Sequence, residues 1–178
     1  MEAEESLQVL GRTCISMLAA VFHLYFKAWE HRLGIPVDNS LRSVFKHKGW
    51  LNGYNAYFAR HFHIRFEDSP IDLCVLEDIV LVRNRAQHSE LITMDTVYYS
   101  DTDLKKLPHP FFIDEREACL FSDTEEGERT LLIAPPIRVT AEKLSFALSE
   151  VEKFSEWLEN TDIGNHASRP RMPNQKLY

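Results

Sequence analysis

The chain has 178 residues, 44% apolar and 26% charged, which suits one globular domain with a real core and excludes a disordered or fibrous class. Its 20 Lys and Arg against 27 Asp and Glu leave a net charge of −7, which excludes a dense basic coat for non-specific DNA binding but not a small basic cleft. Cys14, Cys74 and Cys119 are scattered with no CxxC pair, which excludes a disulfide framework and predicts buried thiols in a reducing cytoplasm.

The start, MEAEES, is acidic and lacks the basic region of a signal peptide. The apolar stretch Cys14 to Phe26 is interrupted by His23, flanked by Arg12 and Lys27, and shorter than a bilayer span. The expectation is a cytoplasmic chain with no membrane segment. Leu7, Leu10, Cys14, Met17, Leu18, Val21, Leu24, Tyr25 and Ala28 recur at three- and four-residue steps. This spacing predicts a long helix over 5–33 that buries this stripe. Gly34 and Pro36 stop it. Asp38, Asn39 and Ser40 offer N-caps to a second helix over 40–62, which Gly49 and Gly53 weaken enough to break.

Ser69 and Pro70 read as the cap and first residue of a third helix over 70–90. Its stripe is Ile71, Val75, Ile79, Val82 and Ala86, and its end is polar. The character then changes. Between Asp101 and Thr130 there are 9 acids and 4 bases, and Pro108 and Pro110 break any helix. Residues 118–121 and 131–133 suggest short strands, with Glu126 and Gly127 in the turn, so an exposed hairpin is expected over about 110–134. Thr140 caps a fourth helix over 140–160, with Leu144, Ala147, Leu148, Val151, Phe154 and Leu158 as its apolar face. The reading is mainly α: one helical domain over 1–163, an insertion over about 91–138, and a polar, disordered tail over 164–178.

Local charge points to a function. From Leu41 to Arg65 there is no acid, while Arg42, Lys46, Lys48, Arg60 and Arg65 are basic and His47, His61 and His63 add to them. With Arg85 nearby in sequence, and Trp50, Tyr54 and Tyr57 interleaved, this pattern suits a single-stranded nucleic acid held by charge and stacking. It also suits, and more simply, a solvated face over core aromatics. Arg85, Lys46, Lys48 and Arg60 are the candidate substrate-binding residues. His61, His63 and Asp68 are metal-ligand types, but no second group at fixed spacing supports them. No metal or cofactor is expected, and no phosphate loop or nucleophile elbow is visible.

The sharpest feature is the run RNRAQH from Arg83 to His88. On a regular helix Asn84 and His88 share a face, with Arg83 about 100° around, all opposite the apolar stripe. His titrates near neutrality, Arg forks onto phosphate oxygens, and Asn can orient the His or a phosphate. Arg42 and His47 share the same Arg-to-His spacing, but only Arg83 is followed by Asn. The run resembles the RNxxxH motif of HEPN-domain ribonucleases. That resemblance implies a HEPN-like helical bundle and a metal-independent endoribonuclease using Arg83, Asn84 and His88 on single-stranded RNA but not DNA. It implies a homodimer that brings two His88 residues to one composite site. It also implies a defence or toxin setting, with a protein partner or antitoxin; the alternative is a non-catalytic module that binds RNA or protein. Glu90 stands where some family toxins carry a modifiable Tyr, so regulation at that position is not implied. The insertion over 91–138 is likewise foreign to a minimal HEPN bundle.

Overall fold

A computed structural model describes residues 2–88, 96–114, 135–161 and 163, and these residues are mainly helical. The helices are α1 (Glu2–Leu33), α2 (Asn39–Lys48), α3 (Trp50–Phe62), α4 (Leu73–His88), α5 (Asp101–Lys106) and α6 (Ala141–Glu159). The expected hairpin falls mostly on residues 115–134, and the expected tail begins at residue 164; both lie outside the described residues. Among the described residues the extended pairing is a single antiparallel bridge, Tyr98 to Pro136. The chain divides into two compact units, Met1–Phe22 with Asp72–Val151, and His23–Ile71 with Glu152–Tyr178.

The first unit is built around α4. Val75, Leu76, Ile79 and Val82 are buried at helical spacing, as the sequence predicts. The helix begins at Leu73, not Pro70. Asp72 sets the start: its side chain accepts from Cys74 N–H and its carbonyl from Val75 N–H. Ser69 instead donates to the carbonyl of Phe66 and closes a 3₁₀ turn in the other unit. Helix α5 was not expected beside two prolines. Ser100 and Asp103 form a capping box for it, and it ends at Leu107, before Pro108.

Helix α1 departs most from expectation. Leu7, Leu10, Met17, Val21 and Leu24, expected in the core, are 57–67% exposed. Ile15, Ala19, Phe22 and Phe26 are buried instead, together with Gln8 and Arg12. Gln8 is inside because its amide oxygen accepts the Val139 N–H at 2.9 Å. At Gly11 a Cβ would stand 2.9 Å from that of Val139, so only glycine allows this approach. By length and composition alone, Ala3–Leu33 is long and apolar enough to cross a membrane, although part of that stretch is buried inside the protein.

The second unit is an aromatic core. Phe26 stacks on Tyr54 at 4.8 Å between ring centroids and on Phe66 at 5.5 Å, and Phe154 meets Phe66 edge-on at 4.8 Å. The break between α2 and α3 falls at Gly49, whose φ of 85° favours glycine. Asp38 caps α2 by accepting the Leu41 N–H at 2.9 Å. Gly34, at φ 64°, ends α1 as predicted.

Candidate functional site

The RNRAQH run forms the last turns of α4, so the sequence placed it on the right element. Arg83 and Asn84 are half-buried, and Arg83 Nη1 donates to Asn84 Oδ1 at 3.2 Å. Two of the three motif side chains therefore touch. His88 closes the helix, and its side chain lies outside the described residues.

Arg85 is committed elsewhere. Its Nε lies 2.5 Å from Asp103 Oδ2, and its Nη2 donates to the Ser100 hydroxyl. Burial alone would raise the Asp103 carboxyl, but hydrogen bonds from Arg85 and from the Ser100 amide and hydroxyl hold it below the usual value. The charge of Arg85 is thus compensated where the sequence suggested an open substrate contact.

About two turns before Arg85 on α4, Asp78 is fully buried. It accepts from Tyr99 Oη at 2.9 Å and from Phe112 N–H at 2.9 Å. Burial pushes its carboxyl up to about 6 against these hydrogen bonds. Together Asp78, Arg85, Tyr99 and Asp103 fasten residues 96–114 to α4. Sequence reasoning missed this network. A signal existed: Asp78 falls among Val75, Ile79 and Val82, on the apolar stripe, where an acid must find partners.

The basic stretch belongs to the second unit. Lys46, His47 and Lys48 are exposed in the last turn of α2. Arg60 is also exposed, but its Nη1 lies 2.9 Å from Asp38 Oδ2 and donates to Ser40 Oγ at 2.6 Å. The Leu41 amide, then the Ser40 hydroxyl, hold the Asp38 carboxyl below its ordinary value. Tyr54 and Tyr57 do not form a stacking platform for bases. Both are fully buried, donating to Glu30 Oε2 and to the Ile35 carbonyl, each at 3.0 Å. His61 packs against Tyr57, and His63 takes the left-handed cap of α3 at φ 59°. Among the described residues no group of three or more His, Cys, Asp or Glu is placed to hold a metal ion.

The chain matches no protein-family model, no curated protein and no solved structure.

Proposed function

We infer that the chain is a metal-independent endoribonuclease with a HEPN-like bundle, cleaving single-stranded RNA at a site completed by a second copy. One observation carries this reading: Arg83 is hydrogen-bonded to Asn84 in the last turns of a helix that closes at His88. A guanidinium has five N–H donors in a planar fork, so one given to a neighbouring amide orients the group without using up its capacity for phosphate oxygens.

In the proposed reaction the RNA 2′-hydroxyl gives its proton to His88 of one copy as its oxygen bonds to the adjacent phosphorus. The P–O5′ bond breaks, and His88 of the second copy protonates the leaving 5′-oxygen. Arg83 offsets charge on the phosphorane, and Asn84 orients Arg83. The products are a 2′,3′-cyclic phosphate and a 5′-hydroxyl. Exposed Lys46 and Lys48 are the residues proposed to contact the RNA backbone.

A second reading is a non-catalytic HEPN-like module that binds RNA or a protein partner. The commitment of Arg85 to Asp103 and Ser100 favours it, because one cation of the motif run has a structural job.

The test is cleavage of single-stranded RNA in excess EDTA. Loss of a general acid or base should slow His88→Ala by about 10²–10⁴-fold. Arg83→Ala should lose most activity with little change in thermal midpoint, and Asn84→Ala should lose less. His47→Ala, at the other Arg-to-His spacing, should stay within a few-fold of wild type. Arg85→Ala should lower the thermal midpoint by several degrees, because Asp103 is left without its cation. Equal losses in His47→Ala and His88→Ala, or equal cleavage of DNA, would overturn the ribonuclease reading.

A further inference from the structure

Helix α1 has two apolar faces. Ile15, Ala19, Phe22 and Phe26 form the buried one. Leu7, Leu10, Met17, Val21 and Leu24 form the other, left 57–67% exposed, with half-buried Cys14 completing the series. The steps along this second face alternate between three and four residues. They average about 3.5, the spacing of a seam between two supercoiled helices. At about 100° per residue the seam lies roughly 140° around the helix from the buried face. It is therefore a separate surface and not the edge of the core.

We propose that this seam binds the same seam of a second copy of the chain, with the two α1 helices antiparallel. The area is sufficient. At this exposure each side chain leaves on the order of 100 Å² in water. Five from each copy bring the buried total to about 1,000 Å², the threshold for a specific interface. The seam is also self-complementary under a two-fold axis. Centring the axis between Cys14 and Met17 sets Leu7 opposite Leu24 of the second copy, Leu10 opposite its Val21, and Cys14 opposite its Met17.

Charge favours the antiparallel sense. Glu2, Glu4 and Glu5 lie at the start of α1, while Lys27, His31 and Arg32 lie towards its end, where Lys27 also pairs with Glu30. An antiparallel pair sets acidic end beside basic end and opposes the helix dipoles. A lipid surface fits less well. An interfacial helix needs basic residues along its apolar stripe. The flank here runs Ser6, Thr13, Ala20 and Lys27, and the leading end is acidic. This inference uses α1 alone; where the chain also cleaves RNA at the proposed composite site, that site forms about the same two-fold axis, so that loss of the dimer in α1 variants with RNA cleavage retained would sink the composite site and not the seam.

The test is sedimentation of the full chain at about 10 μM. Wild type should be a dimer. Leu10→Glu and Val21→Lys should each weaken the dimer by roughly a hundredfold or more, with unchanged circular dichroism, since both side chains are exposed. The double variant Leu10→Glu/Val21→Lys should recover much of the dimer, because the acid introduced on each copy then faces the base introduced on the other. A parallel pair would set like charges together and would not recover. A monomeric wild type, a dimer indifferent to both single variants, or no recovery in the double variant would overturn the proposal. So would flotation of the wild type with anionic vesicles that Leu10→Glu abolishes, because the seam would then be a lipid contact.

Discussion

At the scale of single residues, Asp78 illustrates how a buried charge becomes a device for organising the chain. Its carboxylate satisfies the Tyr99 hydroxyl and the Phe112 N–H, both in the stretch that follows α4. Asp78→Ala would leave both donors buried without that acceptor, at a cost of about 3 kcal/mol. The pH dependence follows from the shift to about 6. The folded pKa lies above the unfolded one, so folding favours the protonated carboxyl. Between about pH 4 and pH 6 the native chain keeps a proton that the unfolded chain has released. Stability from this group is full below that window, falls as pH rises through it, and is flat above it. Urea unfolding should show Asp78→Asn losing the fall, worth about 3 kcal/mol in the wild type. Parallel pH profiles for the two proteins would contradict the assignment. The sequence reveals the motif residues Arg83 and Asn84 because they are adjacent in it. It hides Asp103 as the partner of Arg85, because 18 residues separate them.

At the scale of elements, glycine explains both a break and a close contact in the second unit. Gly49 has a positive φ with nothing near its missing Cβ, whereas a Cβ on Gly53 would stand 2.5 Å from the Phe45 ring. Gly49→Ala should therefore cost about 1 kcal/mol from backbone strain. Gly53→Ala should cost about 1–3 kcal/mol, because the Phe45 ring must move within packed α2 and α3. Adding Phe45→Leu should relieve part of the second cost but none of the first, measured by thermal unfolding. Helix ends were legible from caps at Gly34, Asp38 and Thr140 because capping is local chemistry. The start of α4 was misread since Pro70 mimics a first-turn residue. α5 was missed because Pro108 masked the Ser100–Asp103 capping box. The inward face of α1 was misassigned for a different reason. Both its stripes are apolar, and the buried one contains Gln8 and Arg12, which a hydrophobic pattern discards.

At the scale of the whole molecule, the helical class was legible in periodicity, but which apolar stripe meets which neighbour depends on distant contacts such as Gln8 with Val139. The candidate site was legible only in part. The RNRAQH run sits on one helix and can be read from its spacing, whereas the anchoring of residues 96–114 and the burial of Tyr54 and Tyr57 arise only on folding. Arg83, Asn84 and His88 are proposed to serve RNA cleavage through the substrate's own 2′-hydroxyl. The most direct measurement is mass spectrometry of product ends after incubating the chain with single-stranded RNA in excess EDTA. The products should end in 2′,3′-cyclic phosphate and 5′-hydroxyl groups, lost in His88→Ala and absent when the RNA carries 2′-deoxy sugars. Products ending in 3′-hydroxyl and 5′-phosphate, or intact RNA, would contradict that mechanism.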